Sequence, residues 1–170
     1  HEYILRFGFG QQPNSGVAAE ASGRVISPKK WQTIDHANIS FGQAILVSPL
    51  QMVSAANVFA NEGQWVPPYI VEHLRDNNGK KLQEIKANDG KLIQSFGKGV
   101  RSTVVEASVA GLVKEYLVSV TQQGGTTVKA AIKGYQVAGK TGTSQIYDRQ
   151  LGRYSKTRYI ASFVGFAPAS

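Results

Sequence analysis

Two stretches of the chain carry apolar residues at the spacing of an amphipathic helix. The first follows Ser48, a good N-cap residue, with Pro49 at the first helical position and Gln51 completing a capping box. We expect this helix to end near Asn61 and Gly63, where the helix-breaking residues begin. Its apolar positions are Met52, Ala55, Ala56 and Phe59.

The second amphipathic stretch is expected to begin at Thr103, because Glu106 three residues later again fits a capping box. Apolar residues follow at helical spacing, and Gly124 with Gly125 is expected to stop the helix. The stripe consists of Val109, Leu112, Val113, Tyr116, Leu117 and Val120. Core packing explains this stripe best, so we expect it to be buried.

Alternating patterns predict strands in two other places. Two short runs flank Asn78-Gly79, a dipeptide that favours a tight hairpin turn, and this hairpin is expected to face solvent. Two longer strands are predicted near the end of the chain, at 135–146 and 158–167, joined by a polar loop that contains Gly152. The region 11–40 is rich in Gly, Ser, Asn and Pro and is predicted to be an ordered loop that packs Trp31 and Ile34.

The composition is ordinary for a globular protein, and the length corresponds to one domain or a large part of one. The 170 residues are 42% hydrophobic and 18% charged, and they contain no cysteine, which excludes disulfides and a cysteine nucleophile. The histidines, His1, His36 and His73, are widely separated, so we assign no metal site and no cofactor.

The net charge of +8 favours anionic surroundings, although a solvated basic face is the simpler interpretation. Tyr147, Tyr154 and Tyr159 alternate with Arg149, Arg153 and Arg158, as on a surface that binds single strands. No signature of a nucleic-acid module accompanies them, so we predict no nucleic-acid partner.

The run GYQVAGKTGTSQ, residues 134–145, fits two chemistries. It matches the spacing of a phosphate-binding loop, but such a loop needs a helix to begin at its Lys-Ser/Thr step. The residues after Thr141 are poor helix formers, and another strand follows. We therefore favour a Lys-Thr-Gly-Thr segment on a strand.

Each residue type in that segment has a chemical use beside a serine nucleophile. Lys140 supplies a fixed positive charge, and Gly142 lets a substrate backbone lie against the strand. Thr143 offers a hydroxyl to a carboxylate and a backbone N–H to an oxyanion. Strand alternation places Thr141 and Thr143 on one face and Lys140 on the other. A Thr-Gly kink in an ordinary strand is the competing structural explanation.

Several motifs together resemble one family. VAGKTGT, the later YIASFVGFAPA, SPLQMVSAANVFANEG preceded by SFGQ, and the early FGFG occur in the order found in the transpeptidase domain of class B penicillin-binding proteins. The resemblance covers the whole chain. It implies a mixed α/β fold in which an antiparallel sheet is packed between helices.

The family's Ser-x-x-Lys and Ser-x-Asn boxes have no good counterpart here. Ser27-Pro28-Lys29-Lys30 and Ser95-Phe96-Gly97-Lys98 are the only Ser-x-x-Lys matches, and neither resembles a helix start that presents a nucleophile. On the resemblance, residues 1–170 form the C-terminal part of a single transpeptidase domain whose upstream part carries both boxes. The isolated chain is then expected to be inactive.

The resemblance implies acyl transfer by the parent protein, a peptidoglycan D,D-transpeptidase. An upstream serine attacks the penultimate D-Ala carbonyl of a stem peptide, and β-lactams mimic D-Ala-D-Ala. Lys140 and Thr143 are then catalytic, and the substrate-binding residues are Thr141, Gly142, Thr143 and Ser144. The parent is expected on the extracytoplasmic face of the bacterial membrane, anchored by an N-terminal segment outside this chain, with division or elongation proteins as partners.

Two other functions stay open at this point. A serine β-lactamase or a β-lactam-sensing domain would share the fold and the lysine segment but hydrolyse or merely report the acyl-enzyme. A non-catalytic module that uses its basic surface belongs to another class altogether, and strong salt dependence of its binding would distinguish it.

Overall fold

Helices and short strands alternate along the chain before a long hairpin closes it. The structure is a computed structural model, and it describes residues 1–16, 19–82, 84–95, 99 and 101–170. The helices are α1 (Glu2–Arg6), α2 (Thr33–Ser40), α3 (Pro49–Ala60) and α4 (Ala107–Ser119), with 3-10 turns at Pro28–Lys30 and Val128–Ala130. The strands are β1 (Gln64–Trp65), β2 (Leu74–Arg75), β3 (Lys81–Leu82), β4 (Glu84–Lys86), β5 (Leu92–Ser95), β6 (Ser102–Thr103), β7 (Ala138–Asp148) and β8 (Arg153–Phe166).

The strands pair as antiparallel two-stranded ladders: β1 with β6, β2 with β3, β4 with β5, and β7 with β8. The hairpin predicted around Asn78-Gly79 is confirmed, since β2 and β3 flank that turn and pair Leu74 with Leu82. Both residues of β2 are exposed, as expected. The mixed α/β fold class predicted from the sequence is confirmed.

The first predicted helix is α3, and its start follows the sequence pattern. The Ser48 hydroxyl accepts a hydrogen bond from the Gln51 N–H at 3.2 Å, and the Gln51 side chain accepts one from the Ser48 N–H at 2.8 Å. Pro49 occupies the first turn, and Asn61 is the C-cap. The capping box therefore forms as predicted.

The Gln51 side chain also connects α3 to two distant stretches of the chain. It is 2% exposed, and its Nε2 donates to the carbonyl oxygens of Gln11 at 2.8 Å and Ser22 at 2.9 Å. The Gly8 carbonyl lies 3.4 Å from the same nitrogen. One buried amide thus satisfies backbone acceptors that have no partner in a helix or sheet.

The predicted start of the second helix is wrong. Thr103 lies in β6, where it pairs with Gln64, and α4 begins only at Ala107 with Glu106 as the N-cap. The Val104 N–H donates to the Gly63 carbonyl at 2.9 Å, which keeps this segment extended. Tertiary strand pairing overrides the local capping pattern here.

The expected burial of the α4 stripe is also wrong in part. The positions that contact the rest of the fold are Ala110 and Val118, which are buried, and Leu117, which is half-buried. Val109, Leu112 and Tyr116 are exposed, the last by 63%. The helix is apolar on more than one side, and α3 and β7 cover only one of those sides.

The region 11–40 contains a helix that the sequence prediction missed. In α2, Asp35 accepts a hydrogen bond from the Gln32 N–H at 2.8 Å and so completes a capping box. Ile34 is 60% exposed rather than packed, because it lies on the outer side of this helix. Residues Gln32 and Asp35 are the signal that could have revealed the helix.

Trp31, by contrast, is held in place as predicted. Its Nε1 donates to the Ile26 carbonyl at 2.8 Å. Its ring meets the rings of His36 and His1 edge-on, with centroids 4.9 Å and 5.9 Å apart. Two of the three histidines therefore have packing roles.

The long hairpin is formed by β7 and β8, which begin and end a few residues from the predicted bounds. Pairing is regular from Ala138 opposite Phe166 to Gln145 opposite Tyr159, and it resumes with Tyr147 opposite Tyr154. Between these points one residue of β7 faces the four residues 155–158 of β8. The Ser155 hydroxyl accepts hydrogen bonds from the N–H groups of Thr157 and Arg158 within this excursion.

The base of the hairpin packs on the two longer helices. Ala138 is fully buried against Val118 and Ala169, with Leu117 and Phe166 beside them. The Thr121 hydroxyl just beyond α4 donates to the Val137 carbonyl at 2.7 Å and so fixes the entry to β7. In the described ranges, no helix is both long and apolar enough to cross a membrane.

The Gln51 network generates a stability prediction. Gln51→Glu replaces the donating amide with a carboxylate that faces carbonyl oxygens, so the free energy of unfolding at pH 7 should fall by about 3 kcal/mol. Gln64→Glu is the matched control, because Gln64 makes one solvent-exposed bond to the Thr103 hydroxyl, which can also donate to a carboxylate. The control should change by about 0.5 kcal/mol or less in urea denaturation. Equal losses would contradict a special role for Gln51.

Candidate active site

The Lys-Thr-Gly-Thr segment, residues 140–143, lies inside β7 as the sequence predicts. A phosphate-binding loop would need a helix to start at Lys140 and Thr141, but both residues are within the strand. The nucleotide-binding alternative is therefore excluded. All four residues of the segment and the following Ser144 are exposed.

Side chains of the segment divide between two faces of the hairpin. Residues that are directly opposite in an antiparallel pair project from the same face. Lys140, opposite Val164, shares a face with Gly142 and Ser144, and this is the face that packs on α3 and α4. Thr141 and Thr143 are on the opposite face, where they pair with Phe163 and Ala161.

The edge of β7 brings groups from both faces together. In the part of the chain that the structure describes, β7 pairs with β8 alone, so its other edge is open. The Lys140 Nζ donates to the Thr141 carbonyl at 3.0 Å and lies 3.5 Å from the Thr141 hydroxyl. An ammonium group from one face and a hydroxyl from the other thus meet at an unpaired strand edge.

Gly142 leaves an open approach to the strand. A methyl group added there would meet only the Ser162 hydroxyl, at 2.8 Å, within 4 Å. Ser162 is directly opposite Gly142, and its hydroxyl lies 3.4 Å from the Gly142 carbonyl. The strand surface at this point is therefore bare backbone flanked by a small polar side chain, which suits strand addition by an extended ligand.

At position 139, glycine is required for a different reason. It is directly opposite Gly165, and the Phe163 ring lies over both residues, so a methyl group on Gly139 would collide with the ring. The aromatic ring covers backbone that has no side chain of its own. This contact stiffens the hairpin next to Lys140.

An apolar cavity of about 300 Å³ lies beside the lysine end of the segment. Lys140 and Val164 line it from the hairpin, and the opposite side comes from α3, α4 and the loop after α1. The residues from those elements are Phe7, Phe9, Met52, Ala55, Ala56, Phe59 and Leu117. Lys140 thus borders this cavity, while its ammonium group makes its hydrogen bond with the Thr141 carbonyl.

Within the described residues, the Ser-x-x-Lys match at Ser27 adds no nucleophile to this site, and for the match at Ser95 this stays a prediction. Ser27 is exposed and precedes the 3-10 turn Pro28–Lys30, without a side-chain capping bond. Ser95 ends β5, and residues 96–98 of that match lie outside the described residues. Across the described ranges, no group of three or more His, Cys, Asp or Glu could hold a metal ion.

The tip of the hairpin carries the alternating tyrosines and arginines. Tyr147 and Tyr154 pack edge to face with centroids 5.4 Å apart. Arg158 forms an ion pair with Asp148 at 2.7 Å. The aromatic rings are thus engaged with each other rather than presented as parallel stacking platforms, and the absence of a nucleic-acid partner stays a prediction.

Comparison with known proteins decides the family. The sequence model described as the penicillin binding protein transpeptidase domain matches residues 1–170. The chain belongs to this transpeptidase family. A probable peptidoglycan D,D-transpeptidase PenA from Neisseria flavescens is 32% identical over 171 residues, which cover 99% of this chain and 36% of that protein.

Solved transpeptidase structures share the fold. Penicillin-binding protein 3 from Mycobacterium tuberculosis, without ligand, superposes with a TM-score of 0.86 at 30% identity, over 99% of this chain and 36% of that one. Its complex with ampicillin gives a TM-score of 0.80 at 31% identity over the same shares. This transpeptidase-family chain therefore spans about a third of the length of these relatives.

The sequence analysis did not single out three residues that lie at this site. Ser162 and Phe163 lie opposite the lysine segment, and the register of the two predicted strands was the signal that could have paired them. Arg24 lies beside the far end of the segment, more than 100 residues away in sequence. No local pattern signals that placement.

Alanine substitution of the two glycines of β7 is expected to affect stability to different extents. Gly139→Ala forces the Phe163 ring away and should lower the free energy of unfolding by about 1–3 kcal/mol. Gly142→Ala meets only a hydroxyl that can rotate, and alanine suits a strand better than glycine, so its stability should stay within about 1 kcal/mol. Urea denaturation of both variants measures the difference. A larger loss for Gly142→Ala would contradict the open approach described above.

Proposed function

We propose that the parent protein is a peptidoglycan D,D-transpeptidase that works by serine acyl transfer, and that this chain supplies its Lys-Thr-Gly-Thr strand. The observation that carries the proposal is the exposed edge of β7, where the Lys140 ammonium group reaches the Thr141 carbonyl at 3.0 Å. Relatives that bear the names of D,D-transpeptidases and penicillin-binding proteins support it.

In this proposal the donor peptide adds to the open edge of β7 across Gly142. Its terminal carboxylate accepts hydrogen bonds from the hydroxyls of Thr143 and Thr141 on one face of the strand. The bare backbone of Gly142 is what allows close approach, because any side chain there would stand between strand and substrate. Ser144 continues the binding surface beyond the segment.

Lys140 and Thr143 are the catalytic residues in this proposal. The serine hydroxyl attacks the penultimate D-Ala carbonyl carbon, its proton leaves through the lysine-containing network, and the terminal D-Ala departs with a proton on its amine. The Thr143 N–H stabilises the negative oxygen of the tetrahedral intermediate. An amine of a neighbouring stem peptide then takes the acyl group and frees the serine.

The nucleophile comes from another part of the transpeptidase domain, upstream of residues 1–170. The relatives are about three times as long as this chain, which leaves room for the Ser-x-x-Lys and Ser-x-Asn boxes. The apolar cavity beside Lys140 offers a place where an upstream helix can pack and bring its serine to the lysine. Exposed apolar residues such as Val53, Leu112 and Tyr116 also favour further protein around α3 and α4.

Binding of β-lactams and an extracytoplasmic location are part of the same proposal. The ampicillin and aztreonam complexes of penicillin-binding protein 3 support the first. The second follows from the chemistry, since peptidoglycan is cross-linked outside the cytoplasmic membrane. We propose that the parent is anchored there by an upstream segment and works with division or elongation proteins.

The test is covalent labelling of the full-length parent with a fluorescent penicillin. Lys140→Ala should lower the labelling rate about 100-fold or more, because a charge next to the nucleophile is lost. Lys133→Ala removes an exposed lysine of the loop before β7 and should leave the rate unchanged. Equal rates for the two variants would contradict the catalytic role of Lys140.

Two further measurements sharpen the result. Gly142→Ala should slow labelling at least about tenfold while its stability is preserved, since misplacing a bound group by about 1 Å is enough for such a loss. The 170-residue chain alone should remain unlabelled, and an added upstream fragment should carry the label when the two are mixed. A labelled isolated chain would mean that it contains its own nucleophile.

A further inference from the structure

A second and larger cavity opens where the Lys-Thr-Gly-Thr segment ends. Its volume is about 590 Å³, and we call it the basic groove. One wall is the hairpin from Ser144 to Tyr147 with Tyr154 and Ile160, and the other is the segment 42–46 with Arg24 and Ile26. Ser144 is the residue that follows the lysine segment, so a ligand that lies along the segment reaches the groove directly.

The wall opposite the hairpin is fixed in position. Arg24 and Leu46 form a two-way backbone bridge, in which each N–H donates to the other residue's carbonyl at 2.8 Å and 3.0 Å. Ala44 lines the groove with φ +63°, a left-handed conformation that is unfavourable for alanine. Strained backbone of this kind is concentrated at binding and active sites.

The charges in the groove are unbalanced. Arg24 and Arg149 both line it, and within the described residues neither has a carboxylate partner within 4 Å, in contrast to Arg158 with its Asp148. Asp35 is the acidic residue of the lining, and its Oδ2 is engaged by the Gln32 N–H at 2.8 Å. Two arginines and one aspartate thus line the groove, which leaves it with a net positive charge.

We infer that the basic groove binds a carboxylate-bearing part of the peptide substrate, with Arg24 and Arg149 as the residues that select it. The inference rests on the proposed function, because it takes the ligand to be a peptide whose end lies on the lysine segment. A guanidinium group matches the two oxygens of a carboxylate, and a partly enclosed cavity strengthens that contact. The groove therefore sets specificity for acidic peptides at a distance from the reacting atoms.

A small β-lactam does not need the groove, and this separates the two sites experimentally. On the proposed function, benzylpenicillin is confined to the lysine segment, whereas a peptide with several residues before its D-Ala-D-Ala end extends past Ser144. Loss of the two arginines should affect the peptide and spare the antibiotic. Amidation of the peptide carboxylates should have the same effect as loss of the arginines.

The experiment uses the full-length parent with Arg24→Gln and Arg149→Gln combined. The substrates are a D-Ala-D-Ala pentapeptide with an upstream side-chain carboxylate and the same peptide with that carboxylate amidated. We expect kcat/KM for the acidic peptide to fall at least about tenfold, and kcat/KM for the amidated peptide and the rate of penicillin labelling to stay within about twofold. Arg153→Gln is the matched control, because this arginine of the same hairpin is exposed and does not line the groove.

The outcomes separate the inference from the proposed function. If the double variant labels normally with penicillin but loses kcat/KM equally for both peptides, the inference alone is overturned. The same holds if it labels normally and loses kcat/KM for neither peptide. If wild-type parent neither labels nor turns over peptide, the proposed function fails. Equilibrium binding of the acidic peptide to the full-length parent then decides the inference: weaker binding by the double variant supports it, and unchanged binding overturns it.

Discussion

The side-chain amide of Gln51 is the interaction on which the arrangement of the other elements depends. It closes the capping box of α3, and it also holds the backbone of Gln11 and Ser22 against the start of that helix. The loop after α1 is brought over α3 in this way. That loop and α3 together contribute six of the twelve residues that line the cavity beside Lys140, so a buried polar contact far from the strand shapes one side of that cavity.

Small side chains dominate the interior, and large ones remain on the surface. The buried apolar residues are alanines and valines, whereas many of the large aliphatic and aromatic side chains of α3, α4 and the hairpin are exposed. Alanine and valine permit close packing of α3, α4 and β7 but bury little area per residue. The apolar faces that stay exposed are surfaces of the kind on which further protein packs.

Local signals explain what the sequence could predict. The Ser48 capping box and the Asn78-Gly79 turn act over three or four residues, and both formed as expected. Thr103 failed because pairing with Gln64, almost forty residues away, competes with the helix start. The lysine segment was recognisable as a strand, but its open edge and the approach of the Lys140 ammonium group to Thr141 depend on tertiary geometry. The position of Arg24 beside the lysine segment could not be predicted for the same reason.

The four-residue excursion at 155–158 divides the long hairpin into two parts with separate tasks. From the base of the hairpin to the excursion, regular pairing holds the lysine segment in register with β8. Beyond the excursion, the tip of the hairpin carries Tyr147, Arg149 and Tyr154. The Ser155 hydroxyl closes the excursion with two local hydrogen bonds, so the regular ladder that contains Gly142 stops before the tip. A change in the length or charge of the tip would therefore leave the pairing of the lysine segment with β8 untouched.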